Sequence, residues 1–187
     1  MRKVVLMLSI SLDGFVEGPE RELDWQLIDD EIHVEFNQVL AAMGAFLEGR
    51  VTHELMEDYW PTADRDPEST PPMVEFAGIW RDKPKVVYSR TWQRTDWNTT
   101  VVREVVPEEV ERLKAEPGGD LALGGADLAA TFMRRDLIDE YRLYVHPVVI
   151  GDGKPLFPKG ARIQLRLVET RTFRSGVVLL RYEPRRS

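Results

Sequence analysis

The chain contains no cysteine, which removes at one stroke a disulfide framework, a thiolate nucleophile and every cysteine-based metal site. Histidine is scarce as well. The three that exist, His33, His53 and His146, are scattered and form no pair at helical i, i+4 spacing, so a zinc-type centre is not expected. No Lys/Arg block accompanies the net charge of −7, and neither a nucleic-acid surface nor an anionic-membrane surface is advertised. No apolar run approaches bilayer length. The charged start Met1-Arg2-Lys3 leads into a short apolar run without a small-residue cleavage site, so a cytoplasmic location is expected. Internal repeats and low-complexity tracts are also missing. What remains is 187 residues, 43% hydrophobic and 30% charged, enough for a single well-buried domain spanning 1–187.

The stretch with most content runs from Leu121 to Met133. A short apolar run stops at Gly124-Gly125, after which Leu128, Phe132 and Met133 recur at helical spacing. This predicts strand, tight turn and helix, with backbone open to a ligand and a helix N-terminus aimed at it, a place that suits a phosphate. The competing reading is a glycine turn that only joins a strand to a packed helix. A second junction of this type is Gly49-Arg50-Val51-Thr52 after Ala45–Glu48. There Thr52 can cap the helix, and Arg50 offers a fork of donors matched to phosphate. A third strand, Lys85–Tyr88, runs out into Ser89-Arg90-Thr91.

The continuous apolar run Val4–Ile10 predicts a central strand covered on both faces. It ends at Asp13-Gly14, which places Asp13 at the carboxyl edge where open α/β sheets bind ligands, either as a functional carboxylate or as a turn-former. A polar loop carries Trp25, and a helix is expected over 29–43. Trp60 opens a proline-rich stretch to Pro72, read as a long loop; its indole either stacks on a planar ligand or plugs the core edge. Pro107 opens a further helix. Tyr141–Ile150 reads as a strand in which Pro147 marks a bulge or an unpaired position, and 164–172 with 177–182 read as a terminal hairpin. Alternating strands and helices that end in adjacent strands predict an α/β fold with a mostly parallel sheet and an antiparallel edge.

Ser11-Leu12-Asp13-Gly14, Gly49-Arg50-Val51-Thr52, Ser89-Arg90-Thr91, Gly124-Gly125, and Asp139-Glu140 through Pro147-Val148-Val149-Ile150-Gly151-Asp152-Gly153-Lys154-Pro155-Leu156-Phe157 stand in one order along the chain. Together they resemble the dihydrofolate reductase superfamily, in the branch of the riboflavin-biosynthesis protein RibD's C-terminal reductase domain and its stand-alone relatives. The resemblance implies a dihydrofolate reductase-like three-layer α/β/α fold with a mixed, mostly parallel central sheet. It implies NADPH held at the pyrophosphate by Gly49, Arg50, Thr52, Gly124, Gly125, Ala126, Asp127 and Leu128, and at the 2′-phosphate by Ser89, Arg90 and Thr91. A guanidinium with hydroxyls favours that extra phosphate, where NAD-selective sites place an acid.

The implied activity is an NADPH-dependent reductase acting on a small heterocyclic or carbonyl molecule, of the type 5-amino-6-(5-phosphoribosylamino)uracil reductase. Asp13 is the candidate catalytic residue, and Trp25 and Trp60 are candidates for substrate binding. The alternatives are dihydrofolate reductase-like activity and a non-catalytic NADP-binding sensor. Dihydrofolate reductases proper carry an acid in the first helix, and counting back from Gly49-Arg50 reaches His33, with Asp30, Glu31 and Glu35 nearby. The zinc deaminase domain of full-length RibD, which needs cysteines, has no counterpart here. Likeness also implies a homodimer through the C-terminal strands.

Overall fold

A computed structural model describes residues 1–94 and 96–185, so the last two residues of the expected 1–187 domain lie outside the described residues. Strand β1 (Val4–Ser11) is apolar on both faces because both are covered. One face packs Val4 and Leu6 against Leu128, Ala129, Phe132 and Met133. The other packs Val5 against Phe46, Phe76 and Trp80.

The elements follow as β2 (Phe15–Glu17), α1 (Asp30–Ala42), β3 (Ala45–Gly49), α2 (Arg50–Tyr59), a 3-10 helix (Trp60–Arg65), α3 (Pro71–Asp82), β4 (Lys85–Tyr88) and β5 (Thr99–Val102). Then come α4 (Pro107–Ala115), β6 (Leu121–Leu123), α5 (Ala126–Arg134), β7 (Glu140–His146), β8 (Lys154–Pro155), β9 (Leu165–Thr172) and β10 (Val178–Pro184). The main sheet has eight strands in the order β5-β4-β3-β6-β1-β7-β10-β9. Those from β5 to β7 are parallel, while β10 and β9 form the antiparallel edge. This is the expected mixed α/β sheet between helical layers.

Three local expectations are corrected. Trp60–Pro72 is not an open loop: it forms the 3-10 helix and then the first residues of α3, whose Pro71 and Pro72 fill the opening positions where a missing N–H costs nothing. Strand β7 ends at His146, because Pro147 cannot donate to the ladder and the pairing stops there. Thr52 does not cap α2, whose N-cap is Gly49 with no side-chain bond.

Lys85, at the start of β4, is almost wholly buried. Its ammonium donates to the carbonyls of Trp80, Lys83 (2.8 Å) and Trp97 (2.9 Å) and lies 4.1 Å from the centre of the Trp80 ring. Burial pushes its pKa down to about 8. Lys85→Met leaves three carbonyls without this donor, and urea unfolding is expected to show a loss of about 2–3 kcal/mol. Unchanged stability would mean that the ammonium holds nothing together.

Candidate active site at the carboxyl rim of the sheet

Parallel strands deliver their following loops to a single edge. Here β3, β4 and β6 are neighbours in register, with Leu47 opposite Leu123 and Gly49 opposite Tyr88. Gly49-Arg50, Ser89-Arg90 and Gly124-Gly125 therefore emerge side by side on the same rim. The Gly124 N–H extends the ladder by donating to the Leu47 carbonyl (3.0 Å), and the chain then turns at Gly125, φ +85°. The Thr52 hydroxyl lies against this turn, where a Cβ added at Gly125 would come within 2.4 Å of Thr52 Oγ1. A Cβ at Gly49 would in turn stand 3.9 Å from Leu128 Cβ.

The N-termini of α2 and α5 thus meet, and neither Gly49 nor Gly125 provides a side-chain cap. Uncapped N–H groups of two helices converging beside glycine backbone make a cradle for an anion. Of the residues expected there, Leu128 is buried as packing, Ala126 is half-buried, and Asp127 is exposed. Asp127 would repel an anion if left alone. Lys154 from β8 pairs with it at 2.5 Å, with Glu17 3.8 Å away on the other side.

Arg50 turns along α2 and gives both carboxylate oxygens of Glu54 a bond (2.8 and 2.7 Å). A half-exposed ion pair of this kind contributes little to stability, so the guanidinium can exchange partners cheaply. Ser89 is a turn-former. Its Oγ accepts the N–H groups of Thr91 (3.2 Å) and Trp92 (2.9 Å), and Arg103 clamps the same turn by donating to the carbonyls of Ser89 (3.1 Å) and Trp92 (2.9 Å). That turn presents Arg90 and Thr91 outward, and both are exposed.

Strands β1 and β7 run on together to the pair Ser11–His146, whereas β6 pairs β1 only as far as Leu6. The rim is therefore stepped, with β1 and β7 projecting ~10 Å past the Gly125 bend at the usual strand rise. On this projection the Asp13 carboxylate accepts the N–H groups of Ile150 (3.3 Å) and Gly151 (2.8 Å). The Ser11 hydroxyl first, and then those N–H groups, hold Asp13 below the ordinary carboxylate range. Asp13 is thus charged at neutral pH and shaped to orient or accept, with no proton to give. Trp25 stands perpendicular to His146 at 5.6 Å.

Trp60 stands apart from the glycine cradle. It lies at the other end of α2, ~15 Å along the helix axis from Gly49, ringed by His33 (5.6 Å), Tyr59 (5.1 Å) and Phe76 (4.6 Å). Two acids of the first helix, Glu31 and Glu35, are also committed elsewhere. Glu35 pairs with Arg171 (2.5 Å) and Glu31 with Arg174 (3.5 Å), both toward the β9–β10 hairpin. His33 faces Trp60 and Phe76, and burial lowers its pKa.

Two features beneath the rim lie outside the sequence expectations. Glu48 and His53 form a buried pair (2.9 Å) directly under the α2 N-terminus, and His53 stacks on Trp80. His146 is fully buried at the tip of β7. The i, i+5 spacing of Glu48 and His53 across a strand-to-helix junction was a legible hint of the first. The second had no signal beyond a histidine before a proline. No group of metal-binding side chains occurs among the described residues, and no described helix is long and apolar enough to cross a membrane.

The chain shares 40% identity over 183 residues with the uncharacterized protein YyaP of Bacillus subtilis (strain 168), covering 97% of this chain and 94% of YyaP. In fold it is similar to a protein of Shewanella sp. PV-4 described as a riboflavin biosynthesis protein, with TM-score 0.75, 19% identity, and coverage of 98% and 99% of the two chains. It is also similar to a diaminohydroxyphosphoribosylaminopyrimidine deaminase/5-amino-6-(5-phosphoribosylamino)uracil reductase of Thermotoga maritima, with TM-score 0.66 and 14% identity. That match spans 98% of this chain and 56% of the other. The sequence model of the RibD C-terminal domain family matches residues 2–179. With the stepped rim, the paired helix N-termini and this match in hand, the chain belongs to the RibD C-terminal domain family, a reductase-like family on the dihydrofolate reductase-like fold.

Proposed function

We propose that the protein is an NADPH-dependent reductase of a small heterocyclic or carbonyl substrate, with a 5-amino-6-(5-phosphoribosylamino)uracil-type pyrimidine as the first candidate. The observation that carries this reading is the contact of Thr52 with the Gly125 bend, which joins two uncapped helix N-termini into one anion cradle. Glycine at 125 lets the Thr52 hydroxyl close against the bend, since a Cβ there would lie 2.4 Å from Thr52 Oγ1, and this approach brings the donors of both helix N-termini together for a diphosphate. Bound NADPH supplies a hydride, and the chain's part is to fix both reactants in contact and exclude water.

Gly49, Thr52, Gly124 and Gly125 hold the diphosphate by backbone approach and hydroxyl, and Ala126, Asp127 and Leu128 supply the first turn behind it. Arg50 leaves Glu54 for phosphate. Arg90 and Thr91, on the turn shaped by Ser89, meet the 2′-phosphate. Asp13 orients the substrate on the β1–β7 projection, with Trp25 as an apolar wall. Dihydrofolate is a poorer candidate, since Glu31 and Glu35 are paired away from this cleft.

The test is NADPH oxidation followed by absorbance over a panel of pyrimidines, pterins and dicarbonyls. Turnover with at least one pyrimidine is expected. Arg90→Ala should raise the KM for NADPH about tenfold and leave that for NADH unchanged, as removal of one charge-assisted phosphate contact predicts. Equal loss with both cofactors would remove the assigned role of Arg90. Asp13→Asn should lower kcat with little change in cofactor KM, and unchanged turnover would end its assignment. Tight NADPH binding with no consumption across the panel would favour the sensor reading.

The same proposal includes a homodimer. Strand β9 is an edge strand eight residues long and exposed almost throughout, with Leu167 at 50% and Val168 at 37% accessibility. Its pairing with β10 skips Val168, so the edge is irregular at that point, and a second copy would add its strand on the regular stretches to either side. Gel filtration should give twice the 21.6 kDa of one chain. Leu167→Lys should halve it, whereas a wild-type monomer contradicts the dimer.

A further inference from the structure

His146 is the last residue of β7, paired in register with Ser11, and its ring is fully buried. The backbone N–H of Leu27 donates to its Nδ1 at 3.0 Å. An N–H donor can meet only a bare ring nitrogen, so in the neutral ring the proton sits on Nε2. Burial pushes its pKa down to about 4, and the ring is neutral at physiological pH. Nε2 has no hydrogen-bond partner among the described residues.

The perpendicular indole of Trp25 covers the ring, but an aromatic face is at best a weak acceptor. A buried donor left this way is costly, and native proteins keep few of them without a reason. The position supplies one, since the ring stands on the stepped part of the rim beyond the anion cradle, where the substrate end of a bound dinucleotide would point. The cover comes from one segment of chain. Leu23, Trp25, Leu27 and Ile28 belong to an irregular segment between β2 and α1, and three of these apolar side chains are exposed.

We propose that His146 Nε2–H is the donor that recognises the substrate, which therefore carries an uncharged oxygen or nitrogen acceptor, such as a lactam or ketone carbonyl, next to its reducible carbon. A carboxylate is disfavoured at the same spot, because a neutral donor in an apolar setting does not offset the cost of burying a charge. The inference rests on the reductase reading and names the substrate class of that same site.

The experiment uses the full chain with 15N-labelled histidine, the His146 signal being assigned from its loss in His146→Asn. With NADP+ bound, uracil is titrated as a neutral carbonyl probe and benzoate as a charged one. Uracil should move the Nε2 proton downfield and saturably, and benzoate should not. His146→Asn keeps an acceptor for the Leu27 N–H but has no donor at Nε2, so uracil should bind it at least tenfold more weakly. His146→Gln restores a donor there and should recover most of that loss. A resonance that uracil leaves unmoved, or equal uracil affinity in wild type and His146→Asn, overturns the inference. NADP+ binding is read separately by tryptophan quenching. Its absence would remove the reductase reading, while a uracil-dependent shift without cofactor would still support the recognition role of His146.

Discussion

Gly125→Ala will lose NADPH affinity by about 30-fold or more while the chain still folds. Two costs combine at this position. The backbone stands at φ +85°, ψ 131°, a sparsely populated region where an L side chain costs about 1–3 kcal/mol, and the new Cβ would lie 2.4 Å from Thr52 Oγ1. The contact can be relieved only by moving Thr52, which sits in the first turn of α2, and that movement separates the two helix N-termini. About 2 kcal/mol of displacement felt by the bound state corresponds to the stated loss in Kd.

Gly160 provides the control, with φ +82° and nothing within 4 Å of a built Cβ. Gly160→Ala should show a positive-φ cost of its own in denaturant unfolding and bind NADPH normally. Adding Thr52→Ala to Gly125→Ala should recover part of the stability, because the steric component is removed and the backbone component stays. Normal NADPH binding by Gly125→Ala would show that the bend is only a connection between strand and helix.

Acid will destabilise the wild-type protein more steeply than His146→Asn. The sign follows from the two pKa values. The unfolded imidazole titrates near 6.5, whereas burial holds the folded one near 4. As pH falls through 6.5 the unfolded chain takes up a proton that the folded chain refuses, so stability present above 6.5 is progressively lost until pH 4 is reached. The size is about 3 kcal/mol between pH 7 and pH 4. Asparagine keeps an acceptor for the Leu27 N–H without titrating, so its stability curve should lack this component. Every other group, including the half-buried His33 and the hydrogen-bonded Asp13, contributes equally to both proteins and cancels in the difference. Urea unfolding of the two at pH 7, 5.5 and 4 measures it. Parallel curves would mean that His146 is not held neutral by burial.

The parts of this molecule that were legible are those where local chemistry and global position agree. Val4–Ile10 is apolar at every residue but Ser9 because both of its faces are covered, so its central place could be read directly. Gly49 and Gly124-Gly125 announced strand-to-helix junctions, and parallel order alone brings such junctions to one rim. Helix α3 was hidden because Pro71 and Pro72 read as loop. The signal was there in Pro72, Phe76, Ala77 and Trp80 on one stripe, with the prolines as an opening rather than a break. Thr52 shows the limit of local reading, since its hydroxyl lies against another helix's first turn, a contact 73 positions away in sequence. Strands β2 and β8 are too short to leave a period. His146 gave no warning because its chemistry depends on burial and on a single backbone N–H from Leu27, neither of which spacing encodes.

The central claim is that the paired N-termini of α2 and α5 grip a dinucleotide diphosphate while Arg90 selects the 2′-phosphate. Titration of the purified chain with NADPH and with NADH, following the quenching of its five tryptophans and energy transfer to the reduced nicotinamide, tests this most directly. The account predicts saturable quenching by NADPH, at least tenfold tighter than by NADH, and its loss in Gly125→Ala. Absence of saturable binding, or equal affinity for the two cofactors, would contradict it.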